Sequence, residues 1–395
     1  MKNDELRPST ILAHYAEDRT EFQGAVVPPL FQNSLFTFKD WDAIDAAFSD
    51  PPNHCIYTRG NNPSVLLAER KIARLAGGEQ AKLFGSGMAA ISSAILYFLE
   101  AGDHVIAVKN IYGPTHSFLA YLGEKMGIET TYVSGESVAE FEEALRENTK
   151  LIYLESPSSL IFSLQDIEAV ATLARAHGVR TLIDNTWASP IFQKPLTLGV
   201  DMEVHSCSKY LGGHSDLVAG IVIGSKKDVV ALAQNEALLL GGKMAPFEAW
   251  LLVRSLRTLP IRMKAHQENA MAVATFLEHH SKVQQVFYPG LKGFAQYELG
   301  RKQMSGYSGL MGFDLVTTDL QKIKNFVNHF EIFQIGISWG GHESLVFAPI
   351  ISTLKEHSEE QVKILGITPG SIRISVGLED SEDLINDLDR ALAQT

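Results

Sequence analysis

VHSCSKYLGGHSD, residues 204–216, takes a β-rich run directly into Lys209 and then into a pair of glycines. Small hydroxyl side chains, Ser206 and Ser208, flank the lysine. A lysine at the end of a strand is an ordinary solvated side chain in many proteins, whereas one held out of water loses its proton more easily and forms a Schiff base with a carbonyl group. The chain around Lys209 has to decide between these two interpretations.

The sequence on both sides of this stretch alternates between short β-rich runs and helical runs. The β-rich runs are DHVIAVKN, TKLIYLESP, VRTLIDNTW and VDMEVHSC, and the helical runs between them include VAEFEEALREN and IEAVATLARAHG. Such alternation predicts an α/β fold with a mostly parallel sheet covered by helices on both faces. Because open sheets of this kind bind ligands in the loops that follow their strands, Lys209 lies where a ligand site is expected.

Changes in the pattern divide the chain into three segments. Residues 1–60 show little periodicity and several prolines, which indicates an extended arm with short helices and little to pack on in its own chain. Residues 61–256 are expected to form the large α/β domain, beginning with a helix at SVLLAERKIARLAGG. Residues 257–395 open with a long helical run and continue with VQQVFYPGL, GLMGFDLV and SIRISVGL, which predicts a smaller α+β domain.

Composition excludes several classes of partner. The 395 residues are 45% hydrophobic and 20% charged, which is typical of a globular protein, and no apolar run approaches the roughly 18 residues of a membrane helix. The net charge of −12 is spread without a basic stripe, so nucleic acid is not an expected partner. The first residues, MKNDELRPSTILAHY, lack the apolar region of a secretory signal, and we therefore expect a cytoplasmic protein.

The two cysteines, Cys55 and Cys207, are too few for a disulfide framework and suit a reducing compartment. Cys55 directly follows His54, and Cys207 lies two residues after His205, but neither pair repeats the spacing of a zinc site. The sequence therefore predicts no metal.

A glycine turn predicts where an anion would bind. In FGSGMAAI, Gly85, Ser86 and Gly87 lie between a predicted strand and a predicted helix, where backbone N–H groups and the helix N-terminus attract phosphate. The alternative is a tight turn without a ligand. The turn does not have the GxGxxG pattern of dinucleotide-binding folds, which argues against an NAD-linked dehydrogenase.

Two more side chains follow predicted strands. Asp184 ends the apolar run of VRTLIDNTW, where a carboxylate either caps a helix or meets a positive partner such as a protonated pyridine nitrogen. Tyr112, in NIYGPTHSF, either packs in the core or lays its ring over a flat aromatic cofactor.

Together, a phosphate cradle, an aromatic ring, a strand-end carboxylate and a strand-end lysine are the contacts that pyridoxal 5′-phosphate requires. The sequence predicts that Lys209 holds the aldehyde of this cofactor as an imine and that Ser206 and Ser208 add hydroxyl groups to its phosphate. A binding protein without catalysis would be expected to have lost Lys209 or Asp184, and both are present.

Eight short motifs resemble, in order, those of the pyridoxal-phosphate enzymes of cysteine and methionine metabolism, a branch of the aspartate aminotransferase fold. They are YTRGNNPS at 57–64, GSGMAA at 85–90, YGPT at 112–115, ESPSS at 155–159, DNTW at 184–187, SKYLGGHSD at 208–216, SWGGHESL at 338–345 and SIRISVGLED at 371–380. The resemblance thus covers nearly the whole chain.

The resemblance implies a homotetramer, built as a dimer of dimers, in which subunits share active sites. Tyr57 and Arg59 would reach the cofactor phosphate of the neighbouring subunit, while Gly87 and Met88 would hold the phosphate of their own. Without the resemblance, Arg59 would be an ordinary solvated loop residue.

For the substrate, the resemblance implies that Arg373 holds the α-carboxylate of an amino-acid thioether, with Ser338, Trp339 and Tyr57 beside it. Arg373 lies on an apolar β run, where a guanidinium favours a bidentate carboxylate. From the sequence alone, an internal salt bridge would account for it better than a substrate carboxylate.

Differences between family members point to β-elimination. SWGGHESL is similar to the motif of bacterial cystathionine β-lyases, which have a tryptophan at the position of Trp339, whereas enzymes that act at the γ-carbon have a smaller apolar residue there. Pro114 stands where methionine γ-lyases have cysteine. His342 departs from the β-lyase pattern, which has tyrosine or phenylalanine, and leaves the preferred thioether open.

The implied reaction converts L-cystathionine to homocysteine, pyruvate and ammonia, with Lys209 as the base at Cα and Lys209 or Tyr112 returning a proton to sulfur. A lysine base requires a pKa well below its free value. The alternatives on the same scaffold are cystathionine γ-synthase or γ-lyase chemistry, methionine γ-lyase chemistry, and amino-acid racemisation as a side activity.

Overall fold

The computed structural model describes residues 6–352 and 366–395. Part of the N-terminal leader on which we based the cytoplasmic expectation, and a stretch of the predicted C-terminal domain, lie outside these ranges. In the large sheet, strand order is β1-β7-β6-β5-β4-β2-β3. The strands are β1 Gln80–Phe84, β2 His104–Val108, β3 Glu129–Val133, β4 Thr149–Glu155, β5 Arg180–Asp184, β6 Met202–Ser206 and β7 Gly220–Gly224.

The predicted α/β fold class is confirmed, with two strands, β3 and β7, that the sequence pattern did not reveal. β7 runs antiparallel to both β6 and β1, whereas β2, β3, β4, β5 and β6 pair in parallel. The five residues of β7 are all buried. A short apolar run of this kind has no periodicity that distinguishes a strand from a buried segment of a helix. Gly220 starts β7 because a side chain there would overlap the carbonyl group of Ser86.

The helices of this part of the chain begin and end where local signals place them. For α3, the Asn62 side chain accepts the Ser64 N–H at 2.9 Å, Pro63 takes the first position, and Gly77 ends the helix at φ +83°. The helices are α1 Pro8–His14, α2 Trp41–Ser49, α3 Pro63–Ala76, α4 Gly87–Phe98, α5 Gly113–Met126, α6 Val138–Glu143, α7 Ile167–Ala176, α8 Ser189–Phe192, α9 Lys226–Leu232 and α10 Pro246–Leu256.

Helices cover both faces of the large sheet, and β7 shows this directly. Val222 belongs to one hydrophobic core, with residues of α4, α5 and α7, whereas Ile221 and Ile223 belong to another, with residues of α3 and α10. Alternate side chains of one strand therefore enter two cores, as the pleat of a strand requires. The burial of these side chains fixes the position of each strand in the sheet. It therefore also fixes where the loops that follow the strands begin.

A second, smaller sheet follows α11 Leu259–Glu278, with strand order β10-β11-β12-β9-β8. The strands are β8 Val283–Phe287, β9 Leu310–Leu315, β10 Gln334–Ile335, β11 Leu345–Phe347 and β12 Ser371–Ser375, and the helices are α12 Tyr297–Gln303, α13 Leu320–Asn328 and α14 Ser381–Leu392. The long helical run predicted from residue 257 is α11, and the closing helix is α14. Both pack into the core of this sheet.

The two sheets meet at the loops that follow β4 and β5. Phe162 and Trp187, which follow these strands, are buried in the core of the smaller sheet. The Trp187 indole N–H donates to the carbonyl oxygen of Leu310, at the start of β9, at 3.0 Å. The carboxyl ends of the parallel strands therefore face the smaller sheet.

The first residues of the arm are anchored to the large sheet. Leu12, in α1, is fully buried, and the ammonium group of Lys71, in α3, donates to the Leu12 carbonyl group at 2.9 Å and lies 3.1 Å from Glu17 Oε1. The expectation that the arm has little to pack on is therefore wrong for α1. It holds better further along, where Trp41 is 81% exposed and Phe48 64% exposed. No helix within the described ranges is both long enough and apolar enough to cross a bilayer.

Candidate active site

The glycine turn between β1 and α4 forms an open anion site. Ser86 caps α4 by accepting the Ala89 N–H at 3.1 Å, and the backbone N–H groups of Gly87 and Met88 donate to no acceptor in the described parts of the chain. A Cβ on Gly87 would lie only 3.0 Å from the Ser206 hydroxyl oxygen. The absence of a side chain therefore brings the start of α4 against the end of β6, with free donors at a helix N-terminus.

The two serines beside Lys209 differ in availability. The Ser206 hydroxyl group lies next to Gly87 and has no hydrogen-bond partner among the residues described. Ser208 Oγ accepts the Ala219 N–H at 3.0 Å and donates to the Ala219 carbonyl group at 3.4 Å. Ser206 can therefore donate to an anion at once, whereas Ser208 must first give up a long hydrogen bond.

Lys209 follows β6, and its side chain contacts Ser338 and Trp339, which lie between β10 and β11 of the smaller sheet. Its Nζ donates to Ser338 Oγ at 2.7 Å and lies 5.4 Å from the centre of the Trp339 ring. Burial, and then the nearby positive charge of Arg373, lower the pKa of Lys209 from 10.5 to about 8, against the opposing effect of Asp184. The solvated-lysine interpretation is therefore wrong, since Ser338 and Trp339 contact this amine and burial lowers its pKa.

Asp184 ends β5 and presents one free carboxylate oxygen. Its Oδ1 accepts the Thr186 N–H at 2.9 Å and the Thr186 hydroxyl group, while its Oδ2 has no partner in the described structure. The alternative of a helix cap is wrong, because Ala188 is the N-cap of the next helix, α8. Burial raises the pKa of Asp184, whereas the hydrogen bonds from Thr186 and the charges of His205 and Lys209 lower it.

Glu155 is a residue of this site that our sequence prediction missed. It ends β4 and is paired in register with Asp184, so two buried carboxyl groups lie side by side at the sheet edge. Its Oε2 accepts the Tyr112 N–H at 2.7 Å, and its Oε1 accepts from Ser159 Oγ at 2.6 Å. Burial, and then the charge of Asp184, raise the pKa of Glu155 to about 8. The signal was available, because ESPSS ends an apolar strand with an acid just as VRTLID does.

Tyr112 precedes α5 and is 45% exposed, so the alternative of a core-packing ring is wrong. Burial raises the pKa of its phenol, and the charges of Asp184 and Glu155 raise it further. The ring is therefore close enough to both carboxyl groups to sense their charge, and it stays protonated at neutral pH.

Arg373, on β12, faces the same region without an acidic partner. Its guanidinium group donates to the Ile337 carbonyl oxygen at 2.5 Å and lies 5.2 Å from the centre of the Phe347 ring. No Asp or Glu among the described residues forms an ion pair with it, so the internal salt bridge is wrong. Burial lowers the pKa of Arg373 to about 10, and the group remains a cation with free donors.

The structure does not bring Tyr57 and Arg59 to this site within one chain. The Arg59 guanidinium group lies 5.3 Å from the centre of the Tyr57 ring, and no hydrogen bond or ion pair in the described chain joins either side chain to the residues around Lys209. Tyr57 is 47% exposed. Both side chains therefore remain available to a neighbouring molecule.

His342 is a surface residue at the edge of this region. Its Nδ1 lies 3.3 Å from Glu343 Oε2, and the other oxygen of Glu343 accepts from Ser215 Oγ at 2.6 Å. The imidazole side chain is 63% exposed. No contact links it to Lys209 in the parts of the chain that are described.

The residues that converge here fit pyridoxal phosphate. Free N–H groups at Gly87 and Met88, beside the Ser206 hydroxyl group, suit a phosphate, and the unpartnered oxygen of Asp184 suits a protonated ring nitrogen. The lowered pKa of Lys209 suits an amine that reacts with an aldehyde.

Comparison with known proteins identifies the family of the chain. The family model described as "Cys/Met metabolism PLP-dependent enzyme" matches residues 9–393. The chain is 40% identical to L-methionine gamma-lyase of Porphyromonas gingivalis over 373 residues, which are 93% of each chain. It is 37% identical to cystathionine gamma-lyase of Bacillus subtilis over 390 residues, 98% of this chain and 99% of that one.

It is also 38% identical to cystathionine beta-lyase of Lactococcus lactis subsp. cremoris over 390 residues, 98% of both chains. The structure of metB from Corynebacterium glutamicum superposes with a TM-score of 0.92 at 32% identity and covers 100% of this chain and 99% of that one. The resemblance stated from the motifs and the expected cofactor are thereby confirmed. This chain belongs to the Cys/Met metabolism family of PLP-dependent enzymes, and its cofactor is pyridoxal phosphate.

Proposed function

We propose that the protein is a carbon–sulfur lyase that cleaves L-cystathionine by β-elimination to homocysteine, pyruvate and ammonia. The relatives named above as γ-lyases and β-lyases lie between 37% and 40% identity, so overall similarity does not choose between these reactions. The choice has to come from the residues around Lys209.

The observation that carries the proposal is the contact of Lys209 with Ser338 and Trp339. Elimination at Cβ needs one proton removed, at Cα, whereas elimination at Cγ needs a second proton removed at Cβ, so the base must move between the two carbons. Ser338 and the Trp339 ring hold the Lys209 amine from two directions, and Trp339 is itself packed 5.5 Å from the Tyr210 ring. A tethered base favours the reaction with one deprotonation.

In the proposed site, bound pyridoxal phosphate supplies the electron sink that stabilises negative charge at the substrate Cα. Arg373 binds the α-carboxylate with its free guanidinium donors and so aligns Cα with the base. Lys209, whose pKa is lowered to about 8, accepts the Cα proton. Tyr112, whose raised pKa keeps it protonated, or the protonated Lys209 then donates to the departing sulfur.

We further propose a homotetramer in which Tyr57 and Arg59 complete the site of a neighbouring subunit. The support is that the middle of the arm exposes large apolar side chains, among them Val26, Trp41 and Phe48 at 70%, 81% and 64%. Such a patch on a folded chain marks a surface for another protein. We assign the enzyme to the cytoplasm, where its cysteines, which are free in the described structure, stay reduced.

The proposal is tested by product analysis with cystathionine, cystine, methionine, a homoserine ester and alanine as substrates. β-Elimination of cystathionine gives pyruvate and homocysteine, whereas γ-elimination gives 2-oxobutyrate and cysteine. Trp339→Leu should raise the share of 2-oxobutyrate, and Trp339→Phe, which keeps an aromatic ring, should keep pyruvate dominant. Dominant 2-oxobutyrate from the wild type would replace the proposal with γ-lyase chemistry, and racemised alanine would establish the side activity.

A further inference from the structure

We propose that Glu155 is a positioning residue for Tyr112, which it holds as a neutral carboxylic acid beside the charged Asp184. The inference deepens the proposed function, because it rests on the placement of the cofactor between Tyr112 and Asp184. It assigns a role to the one buried acid of the site that the reaction does not use.

The hydrogen bonds of Glu155 define what it positions. Tyr112 is the N-cap of α5, and its side chain makes no capping hydrogen bond. The Tyr112 N–H donates instead to Glu155 Oε2 at 2.7 Å, across 43 residues of sequence. The acid therefore ties the start of α5 to the end of β4, and the backbone from which the Tyr112 ring projects is fixed by this bond.

The second carboxyl oxygen of Glu155 bonds to the loop that follows β4. Glu155 Oε1 lies 2.6 Å from Ser159 Oγ, and the Ser159 N–H donates to the Asn110 carbonyl oxygen at 2.8 Å. The loop after β4 and the loop before α5 are thus bound to one carboxyl group. A neutral acid keeps both contacts, because its carbonyl oxygen accepts from the Tyr112 N–H and its hydroxyl oxygen accepts from the Ser159 hydroxyl group.

The surroundings decide which of the two neighbouring carboxyl groups carries the proton. Glu155 and Asp184 are paired in register on adjacent parallel strands, and neighbouring strands lie about 5 Å apart. Two carboxylates buried so closely do not both ionise. Asp184 is favoured as the anion, because Thr186 donates to it twice and Lys209 and His205 lie near it.

Glu155 also accepts hydrogen bonds, from Tyr112 and Ser159, but unlike Asp184 it has no cation beside it. The titratable groups that face it are Asp184 on β5, Tyr112 before α5 and Tyr153 on its own strand, and none of them is a cation. In the described structure no Lys, Arg or His forms an ion pair with it. The proton therefore belongs to Glu155, which leaves Asp184 free to bind a protonated ring nitrogen.

The test compares Glu155→Gln with Glu155→Ala in the full-length protein, with the dissociation constant for pyridoxal phosphate and the melting temperature of the holoenzyme as readouts. Glutamine keeps a neutral acceptor for the Tyr112 N–H, so its dissociation constant should stay within about twofold of wild type. Alanine leaves that N–H unpaired and should weaken cofactor binding about tenfold or more, since a buried orphaned donor costs at least a tenfold factor. If glutamine retains cofactor binding, the position needs a neutral hydrogen-bond acceptor and not a negative charge.

The pH dependence of the melting temperature is a second, independent readout. The pKa of Glu155 is raised from 4.5 to about 8, so the folded protein keeps a proton that the unfolded chain releases above pH 4.5. The stability from this group is therefore complete below pH 4.5 and is lost as the pH rises towards 8. Glutamine does not titrate, and the melting temperature of Glu155→Gln minus that of wild type should rise by about 2 °C or more between pH 5.5 and pH 8.

Asp387 provides a matched control, far from the site. It is a buried acid that also accepts backbone N–H groups, from Glu331, Ile332 and Phe333, but it has a cationic partner in Arg390. Asp387→Asn should lower the melting temperature and leave the cofactor dissociation constant within twofold of wild type. A purely structural Glu155 would behave in the same way.

Coupling to Tyr112 is checked by a double-mutant cycle. If Glu155 acts through Tyr112, adding Glu155→Ala to Tyr112→Ala should change the dissociation constant by less than about twofold, because contacting residues that share one role are not additive. The proposal is overturned if glutamine weakens cofactor binding as much as alanine does, if alanine has no effect, or if the two effects add. If instead Tyr112→Ala and Lys209→Ala both leave cofactor binding unchanged, the proposed site itself fails.

Discussion

Replacing Lys209 by methionine should stabilise the cofactor-free protein while abolishing its chemistry. The pKa of Lys209 is lowered from 10.5 to about 8, chiefly by burial, and this means that the folded protein holds the charged amine at a cost. The shift of about 2.5 pKa units corresponds to about 3 kcal/mol at 1.36 kcal/mol per unit. Loss of the hydrogen bond to Ser338 offsets about 1 kcal/mol of this, so we expect a net gain of about 2 kcal/mol at pH 7.

The sign of the pH dependence distinguishes this origin from ordinary packing. Below about pH 8 the amine is charged in both the folded and the unfolded state, and its full cost is present. Between pH 8 and 10.5 the unfolded chain still binds the proton whereas the folded protein does not, so stability rises with pH. The advantage of Lys209→Met should therefore be constant from pH 6.5 to about 8 and shrink steadily as the pH rises above that.

Urea unfolding of the cofactor-free proteins, followed by circular dichroism at one protein concentration, measures this difference. Lys71→Met is the matched control, because Lys71 is also buried but has an acidic partner in Glu17 at 3.1 Å and donates to the Leu12 carbonyl group. Its loss removes one cation from Glu17, which keeps Arg257 at 2.9 Å, and leaves the buried Leu12 carbonyl group without its donor, so it should destabilise the protein by about 1–3 kcal/mol. If Lys209→Met destabilised the protein at every pH, burial would not be the cause of the lowered pKa, and our account of the base would be wrong.

Three further expectations concern the chemistry. Asp184→Asn should slow deprotonation at Cα by about 10- to 100-fold in single-turnover measurements with little change in melting temperature, since a hydrogen bond to a charged group contributes about 1.5–3 kcal/mol; equal rates would remove Asp184 from the reaction. Arg373→Lys should lower kcat/KM by a similar factor, mainly through KM, because lysine does not bind a carboxylate with two parallel bonds; an unchanged KM would count against Arg373 as the carboxylate site. Arg59→Ala and Lys209→Ala, each nearly inactive alone, should recover about a quarter of wild-type activity when mixed in randomly paired dimers, since half the dimers are mixed and one of their two sites is intact; mixed dimers as inactive as the parents would place Arg59 in the site of its own chain.

Much of the fold followed from the sequence because strand ends and helix ends carry local signals. Asn62, Pro63 and Gly77 mark the bounds of α3, and the apolar runs that end in Asp184 and Ser206 are strands of the sheet. These signals act within a few residues, so they survive in a single sequence. β7 carries no such signal, because five buried residues in a row fit either face of a sheet and either strand direction.

In the site, too, the sequence predicted the types of the residues but not the distances between them. Lys209 and Asp184 could be selected as chemical groups at strand ends, but the 2.7 Å contact between Lys209 and Ser338 joins residues 129 positions apart and depends on how the smaller sheet packs. Glu155 was missed because the role of an acid at the end of a strand depends on which residue lies beside it on the neighbouring strand. Only the pairing of β4 with β5 shows that two acids share one edge.

The arrangement of charges at this edge explains why the site is assembled from both sheets. Burial alone would disfavour the charged forms of Lys209, Asp184 and Arg373, and each has its pKa moved in the direction that burial dictates. A ring nitrogen that carries a proton would pair with Asp184, a substrate carboxylate would pair with Arg373, and the cofactor aldehyde would react with the Lys209 amine. The stability that the folded chain loses by burying these charges is therefore recovered when cofactor and substrate bind, because the fold holds the side chains in place and the ligands provide their partners.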